Sequence, residues 1–300
     1  MEKIIDLHIH TTFSDGGLTP KQVIDEACKN KIDTIAIADH DTIEAYNEEV
    51  YQYAKDRGIQ LIPAVEISTR NHNVGIHVLG YNIDIHDQKF QEKLLSLRNS
   101  RHDYLYNVAK KLEELGYLLN MEKLDSIEAV TKAHIALDII NNPLNKDKLL
   151  KVFSHIPSKG EFIETIMNEG CPAYVEKLSI TPKEAAELIH SVGGKVILAH
   201  PVAYKYEDGL TEEDILNLVK EMQADGIEGN YIYIDRNNKK INEVDFWNGF
   251  AKQNRLLSTI GSDFHNDDGV HPLIGLVGEK LSLTGDDIDR ILLLLSMNSD

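Results

Sequence analysis

The segment Asp6-Leu7-His8-Ile9-His10 sets two imidazoles two residues apart in an apolar run. In a strand that spacing projects both side chains from one face, so His8 and His10 form a two-ligand clamp. An apolar run ended by a ligand-type residue recurs along the chain. It is seen in Ile35-Ala36-Ile37-Ala38-Asp39-His40, Ile62-Pro63-Ala64-Val65-Glu66, Gly75-Ile76-His77, Val196-Ile197-Leu198-Ala199-His200-Pro201 and Ser258-Thr259-Ile260-Gly261-Ser262-Asp263-Phe264-His265, while Asp15 follows the first run. One histidine at a strand end is most often an ordinary hydrogen-bonded residue. The recurrence argues for a polynuclear metal site, and His72, His86, His102, His134, His155, His190 and His271 lack that setting.

Imidazole and carboxylate donors without thiolate suit Zn, Mn or Fe and do not choose among them. A carboxylate among several imidazoles commonly bridges two metals. Metals about 3.5 to 4 Å apart stabilise the attacking and leaving oxygens of a displacement at phosphorus, so hydrolysis of a phosphate ester is the chemistry the set implies.

Those residues need a scaffold that makes them converge. From residue 1 to about 85, and again from 180 onward, β-branched runs alternate with helical segments such as Pro20 to Lys31, Pro182 to Val192 and Thr211 to Ala224, whose apolar residues fall in one stripe. Strand and helix in alternation predict an α/β fold with a parallel sheet or closed barrel. Every candidate ligand lies at the end of its run, where parallel barrels collect functional residues. From 88 to 170 the texture is charged and helical, with long patterns at Lys89 to Leu115 and Ile127 to Ile140. The expected organisation is a barrel formed by 1–87 and 171–300, carrying the metal site, with 88–170 as a helical insertion that acts as a lid for substrate recognition.

The 300 residues, 42% of them hydrophobic, suffice to bury a sizeable core. The net charge of −18 repels long polyanions, which excludes a broad face for duplex nucleic acid and leaves small or short phosphorylated substrates. Cys28 and Cys171 are too few and too far apart for a disulfide framework or a thiolate zinc site. No stretch approaches the roughly 18 apolar residues of a membrane span, and the chain enters its first strand without a signal-peptide pattern. The expectation is a cytoplasmic protein with no membrane partner.

His8-Ile9-His10 with Ser14-Asp15-Gly16, Asp39-His40, Glu66, His77, His200-Pro201 and Asp263-Phe264-His265 resemble the ordered motifs of the PHP (polymerase and histidinol phosphatase) phosphoesterases over essentially the full chain. The resemblance implies a distorted (β/α)7 barrel and two to three divalent metal ions. One would be held by His8, His10, Glu66 and Asp263, a second by Glu66, His77 and His200, and a third by Asp15, His40 and His265. Asp15, Glu66, His200 and Asp263 would be the catalytic members of that set, with a metal-activated hydroxide attacking phosphorus.

The middle of the chain is similar to the family branch of nucleoside 3′,5′-bisphosphate phosphatases and 5′ to 3′ exonucleases on short RNA. That branch carries an arginine-bearing helix, a Gly-Arg-Pro-His-Ile-Ala motif and a Pro-Ala-Tyr-Val segment. Arg98 and Arg101, Thr131-Lys132-Ala133-His134-Ile135-Ala136 and Pro172-Ala173-Tyr174-Val175 stand in the matching places. Lys132 replaces the usual arginine and loses its two-pronged hydrogen bonding to phosphate. Gly226-Ile227-Glu228-Gly229-Asn230-Tyr231 departs from the branch's Gly-Ile-Glu-Val stretch. The resemblance implies substrate contacts from Arg98, Arg101, Lys132 and His134. Against it stand the ordinary roles, solvated helix faces for the cations and, for His134, packing beside Ile135, Ala136 and Leu137. The implied reaction is hydrolysis of a nucleoside bisphosphate or a short 5′-phosphorylated oligonucleotide. The alternatives are a histidinol-phosphate-type phosphomonoesterase, disfavoured by the long insertion, and a non-catalytic binding module on the same barrel, disfavoured by the complete ligand set.

Overall fold

A computed structural model describes residues 4–72, 74–125, 127, 130–175, 179–235, 237–276 and 285–296. The β-branched runs form strands and the amphipathic stretches between them form helices. In chain order these are β1 (Ile5–Ile9), α1 (Pro20–Lys29), β2 (Thr34–Ile37), α2 (Glu48–Asp56), β3 (Gln60–Asn71) and β4 (Val74–Tyr81), then α3 (Gln88–Glu114), α4 (Met121–Asp125), α5 (Lys132–Asn141), α6 (Lys146–Phe153) and α7 (Lys159–Phe162). They continue with α8 (Pro182–Ser191), β5 (Lys195–Leu198), α9 (Pro201–Glu207), α10 (Glu212–Met222), β6 (Gly226–Asn230), β7 (Ile232–Ile234), β8 (Lys240–Asn242), α11 (Val244–Gln253), β9 (Leu257–Ile260) and α12 (Gly285–Ser296).

Local chemistry sets the helix starts. Thr19 caps α1, Thr181 caps α8 and Thr211 caps α10, each accepting from the amide three residues on, whose own side chain reaches back to the cap. Proline at the first position of α1 and α8 already has the helical φ and needs no donor there. The stripe Pro20, Val23, Ile24 and Ala27 buries one face of α1.

The seven-stranded sheet runs β1-β2-β3-β4-β5-β6-β9, and β7 with β8 forms a separate two-stranded ribbon. All neighbours in the large sheet are parallel except β4, which is antiparallel to both β3 and β5. Strict strand-helix alternation therefore breaks at this point. Asn71 pairs with Val74, and a connection of two residues can only join antiparallel strands. The sheet then closes on itself. The amide of Asp263 donates to the carbonyl of His8 (2.9 Å), the amide of His10 donates to the carbonyl of Phe264 (2.9 Å), and Ile9 bridges to Phe264. Buried Asp6 ties the seam, accepting from the amides of Ser262 (3.0 Å) and Gly275 (2.7 Å).

Ile5, Leu7, Ala36, Ile62, Ala64, Leu79, Tyr81, Ile197 and Ile260, drawn from β1 to β5 and β9, meet in one cluster with Ile288, Ile291 and Leu295 of α12. A second cluster sets Ile9, Ile35 and Ile37 against the buried faces of α1 and α2. The first is the barrel interior and the second its outer layer.

The chain divides into two compact units, Met1–Leu94 with Ile180–Asp300, and Leu95–Ser179. The second is helical, with no strand among the described residues, and has its own core, in which Leu105, Leu112 and Tyr117 pack with Ile135, Ile139, Leu149 and Phe162. The helical pattern read over Ile127 to Ile140 is shorter than its periodicity suggests. Thr131 caps α5, so the helix starts at Lys132, because a hydroxyl that satisfies the amide of His134 gives the chain a stable place to begin.

Candidate metal centre

Position in β1 is decided by an irregularity. Ile5 and Leu7 belong to the interior cluster but Ile9 to the outer one, and the pairing with β2 shifts register between Asp6 and Ile9. The alternation changes phase there, so that His8 and His10, both fully buried, follow Leu7 inward. The loop after β1 is clasped by Asp39, which accepts from the amide and hydroxyl of Thr11 and the hydroxyl of Ser14, each at 2.6 Å. That holds Ser14 beside Nδ1 of His10 (3.3 Å) and leaves Asp15 to face His265.

Two candidates do not lie at strand ends. Glu66 is in the middle of the twelve-residue β3, and His77 is in the first half of β4. Because β4 runs antiparallel, that half lies at the carboxyl rim of its neighbours: His77 pairs with Ser68, and its carbonyl accepts from the amide of Ala199, just past β5. Topology rather than run-end position thus brings His77 to His200. His200 and Asp263 both have φ in the left-handed region, +26° and +53°. For non-glycine residues such conformations cost about 1 to 3 kcal/mol each and persist only where neighbours hold them.

Five of the other eight candidate ligands stand against Glu66, and Asp15, Asp263 and His265 adjoin those five. Oε1 of Glu66 is 3.1 Å from Nδ1 of His77 and 3.3 Å from Nε2 of His200. Its Oε2 is 3.1 Å from Nδ1 of His40, 3.2 Å from Nε2 of His10 and 3.3 Å from Nε2 of His8. Yet Oε2, although buried, has no hydrogen-bond partner. Three ring nitrogens at contact distance from a buried carboxylate oxygen that accepts from none of them form a set that could hold a cation. Oδ1 of Asp263 lies 3.2 Å from Nε2 of His10 and 3.5 Å from Nε2 of His8, and Oδ1 of Asp15 is 3.3 Å from Nε2 of His265. Three overlapping groups have donor atoms close enough to share an ion: His8, His10 and Glu66; His40, Glu66 and His77; and His10, Asp15, His40 and His265. No cysteine belongs to any of them.

Charge within the cluster is balanced by protons when metal is absent. Burial pushes the Glu66 carboxyl up, but His77, His40 and His8 hold it well below the usual range, and His8 and His265 do the same for Asp263. Burial pushes His10 down, yet Asp263 and the negative charge of Glu66 overcome this and raise it to about 10. Burial also pushes His8 and His200 down, but the charges of Glu228, Glu66 and Asp263 raise His8 and the bond to Glu66 raises His200, whereas burial wins at His40 and lowers it. A divalent cation would replace those protons. The open side of the cluster is formed by Asp15 (33% exposed), His77 (32%) and His265 (34%), while His8, His10 and Glu66 form its sealed floor.

Several residues at the centre were not singled out as site residues in the sequence. Glu228 on β6, 1% exposed, places Oε1 3.0 Å from Nδ1 of His8 and accepts the amide of His200 at Oε2 (3.0 Å). Its signal was a lone carboxylate inside the strand Gly226-Ile227-Glu228. The hydroxyl of Tyr231 donates to Oδ2 of Asp263 (3.2 Å), and that of Tyr204 accepts the amide of His77 (2.8 Å). Neither has a sequence signal.

Arg98, Lys132 and His134 lie in the helical unit, outside the ligand groups. Arg98 is half-buried on α3; Arg101 is also on α3, but its side chain lies outside the described residues. Lys132 donates to Oδ1 of Asn168 (3.0 Å). His134 completes the cap of α5, its Nδ1 accepting from the amide of Thr131 (3.2 Å). Ile135 and Ala136 are buried beside it, whereas Leu137 is exposed.

Residues 6–237 match the sequence model of the PHP domain. A 5′-3′ exoribonuclease from Escherichia coli is 32% identical over 87% of this chain and 85% of its own. A 3′,5′-nucleoside bisphosphate phosphatase from Chromobacterium violaceum is 28% identical over 87% of each. Among solved structures, a protein from Bifidobacterium adolescentis described as a metal-dependent phosphoesterase superposes with a TM-score of 0.69 over 99% of this chain and 98% of its own, at 22% identity.

Proposed function

The chain belongs to the PHP family of metal-dependent phosphoesterases, and from that premise we propose that it hydrolyses phosphate esters of nucleotides, either a nucleoside 3′,5′-bisphosphate or a short 5′-phosphorylated oligonucleotide. The observation that carries the reading is the division of labour at Glu66, whose Oε1 faces His77 and His200 while its unbonded Oε2 faces His8, His10 and His40. A carboxylate so placed suits a bridge between two of the two or three divalent ions, Mn, Zn or Fe, that the nine donors would hold. Bound there, such ions supply Lewis acidity for phosphoryl oxygens and lower the pKa of water.

The chain's own residues divide the remaining work. His8, His10 and Glu66 fix the floor, and Asp15, His77 and His265 leave one side open, so a phosphate ester approaches from there. In a chain of net charge −18 an anionic substrate needs local positive charge to be held. We assign that role to the centre itself, and recognition of a second phosphate to Arg98, Arg101, Lys132 and His134 of the helical unit, which would act as a lid.

The test is elemental analysis of the purified protein, followed by assay with and without chelator on adenosine 3′,5′-bisphosphate, a 5′-phosphorylated trinucleotide and histidinol phosphate. Chelator-sensitive release of phosphate or nucleotide from either of the first two is expected. Preference for histidinol phosphate would overturn the substrate class. Full metal loading without hydrolysis of any of the three would point to a binding module.

A further inference from the structure

Glu228 lies on β6, a strand that supplies none of the nine candidate ligands, yet its carboxylate touches two of them. Oε1 is 3.0 Å from Nδ1 of His8, and Oε2 accepts the backbone N–H of His200 at 3.0 Å. An ionised carboxylate only accepts hydrogen bonds, so the nitrogen of His8 that faces it must carry the proton. In the neutral ring that a metal would bind, this tautomer presents the lone pair at Nε2, the atom 3.3 Å from Oε2 of Glu66 and 3.1 Å from Nε2 of His10. His200 begins α9 at φ +26°, ψ 60°, with no side-chain cap, so the bond from its amide to Glu228 helps to hold a backbone geometry that ordinary residues avoid. The contact is direct and both side chains are fully buried. A Cβ on Gly261 would stand 2.2 Å from Cβ of His8 and 2.3 Å from Oε1 of Glu228, so the segment after β9 packs closely against the pair.

We propose that Glu228 is a positioning residue that sets the ring tautomer of His8 and the backbone of His200, so that one side chain presets ligands on both sides of the Glu66 bridge. The proposal rests on the metal-centre reading above and is independent of the substrate. Outer partners of this kind fix ring orientation and ligand basicity, and their loss typically lowers metal affinity by about 10- to 100-fold.

Glu228→Gln nearly preserves volume but offers one acceptor oxygen and an NH2 donor. It cannot accept from His8 and His200 together. If the amide nitrogen faces His8, the ring proton is driven to Nε2, where it blocks the ligand position. If it faces His200, two donors oppose each other.

The experiment titrates the metal-free full-length protein with Mn2+ and follows free Mn2+ by its electron paramagnetic resonance signal. Glu228→Gln should bind about 10- to 100-fold more weakly, with an unchanged circular dichroism spectrum. Glu243→Gln, at a carboxylate that pairs with Lys205 and belongs to none of the ligand groups, should bind as the wild type does. Affinity of Glu228→Gln within about twofold of wild type, well below the range for loss of an outer partner, would overturn the proposal. A second measurement needs no variant: 15N spectra of the Zn2+-loaded wild type should show His8 protonated at Nδ1, and an unprotonated Nδ1 would overturn the proposal even if Glu228→Gln failed to fold. A wild-type chain that bound no Mn2+ would remove the metal-centre reading and this proposal with it, whereas Mn2+ binding without phosphoesterase activity would leave the proposal standing and remove only the functional one.

Discussion

Replacing Glu66 with glutamine is the most incisive perturbation of this centre. The side chain is 1% exposed, and its oxygens lie 3.1 to 3.3 Å from nitrogens of His8, His10, His40, His77 and His200, so no solvent can compensate for the lost charge. Removing one partner of a buried charged pair costs about 3 to 5 kcal/mol, or roughly two to three and a half powers of ten in an equilibrium constant. If Glu66 bridges, that loss falls on two ions at once. Replacing His265, which is 34% exposed and neighbours Asp15 and Asp263 but not Glu66, should weaken mainly one. The assay is metal content per chain by elemental analysis after dialysis against a fixed low concentration of free Mn2+, with the phosphoesterase rate measured in parallel. Glu66→Gln should retain at least one ion fewer than His265→Ala, and both should lose activity. Equal loss of a single ion in the two variants would refute the bridge.

Protons and metal should compete for the cluster. His8, His10 and His200 are raised in the metal-free protein, so loading at neutral pH should expel protons, and apparent Mn2+ affinity should fall as pH is lowered, as calorimetry in buffers of different ionisation enthalpy can read. The same shift gives the metal-free fold a stability that is complete below the ordinary imidazole value of 6.5 and is lost as pH rises toward about 10, so its thermal midpoint should fall across that window. Lys132→Ala and Arg101→Ala should lower kcat/KM for a nucleoside bisphosphate by roughly 10- to 100-fold, the equivalent of about 1.5 to 3 kcal/mol for a hydrogen bond to a charged group. They should leave hydrolysis of p-nitrophenyl phosphate nearly unchanged, and equal losses on both substrates would assign these cations to the fold. Replacing 95–179 with a short Gly-Ser linker should leave a folded, metal-binding barrel, since that unit has its own core, and an unfolded circular dichroism spectrum would refute this independence.

Features with a local cause are written in short stretches of the chain. The threonine caps at 19, 181 and 211, the stripe of α1, the strand runs and the pairing of His8 with His10 all follow from short-range periodicity and hydrogen bonding, and the order of the ligand-type residues carried the family. Tertiary structure decided what depends on distant segments. Asp15 and Asp39 look alike in the chain, but Asp39 is saturated by Thr11 and Ser14, while Asp15 faces His265 across the barrel closure. The tight β3–β4 turn reversed one strand and carried His77 to His200, and the register shift in β1 turned His8 inward. Glu228 was hidden for the same reason. Its two partners lie 220 and 28 residues away, and neither distance leaves a period in the sequence for a local pattern to reveal.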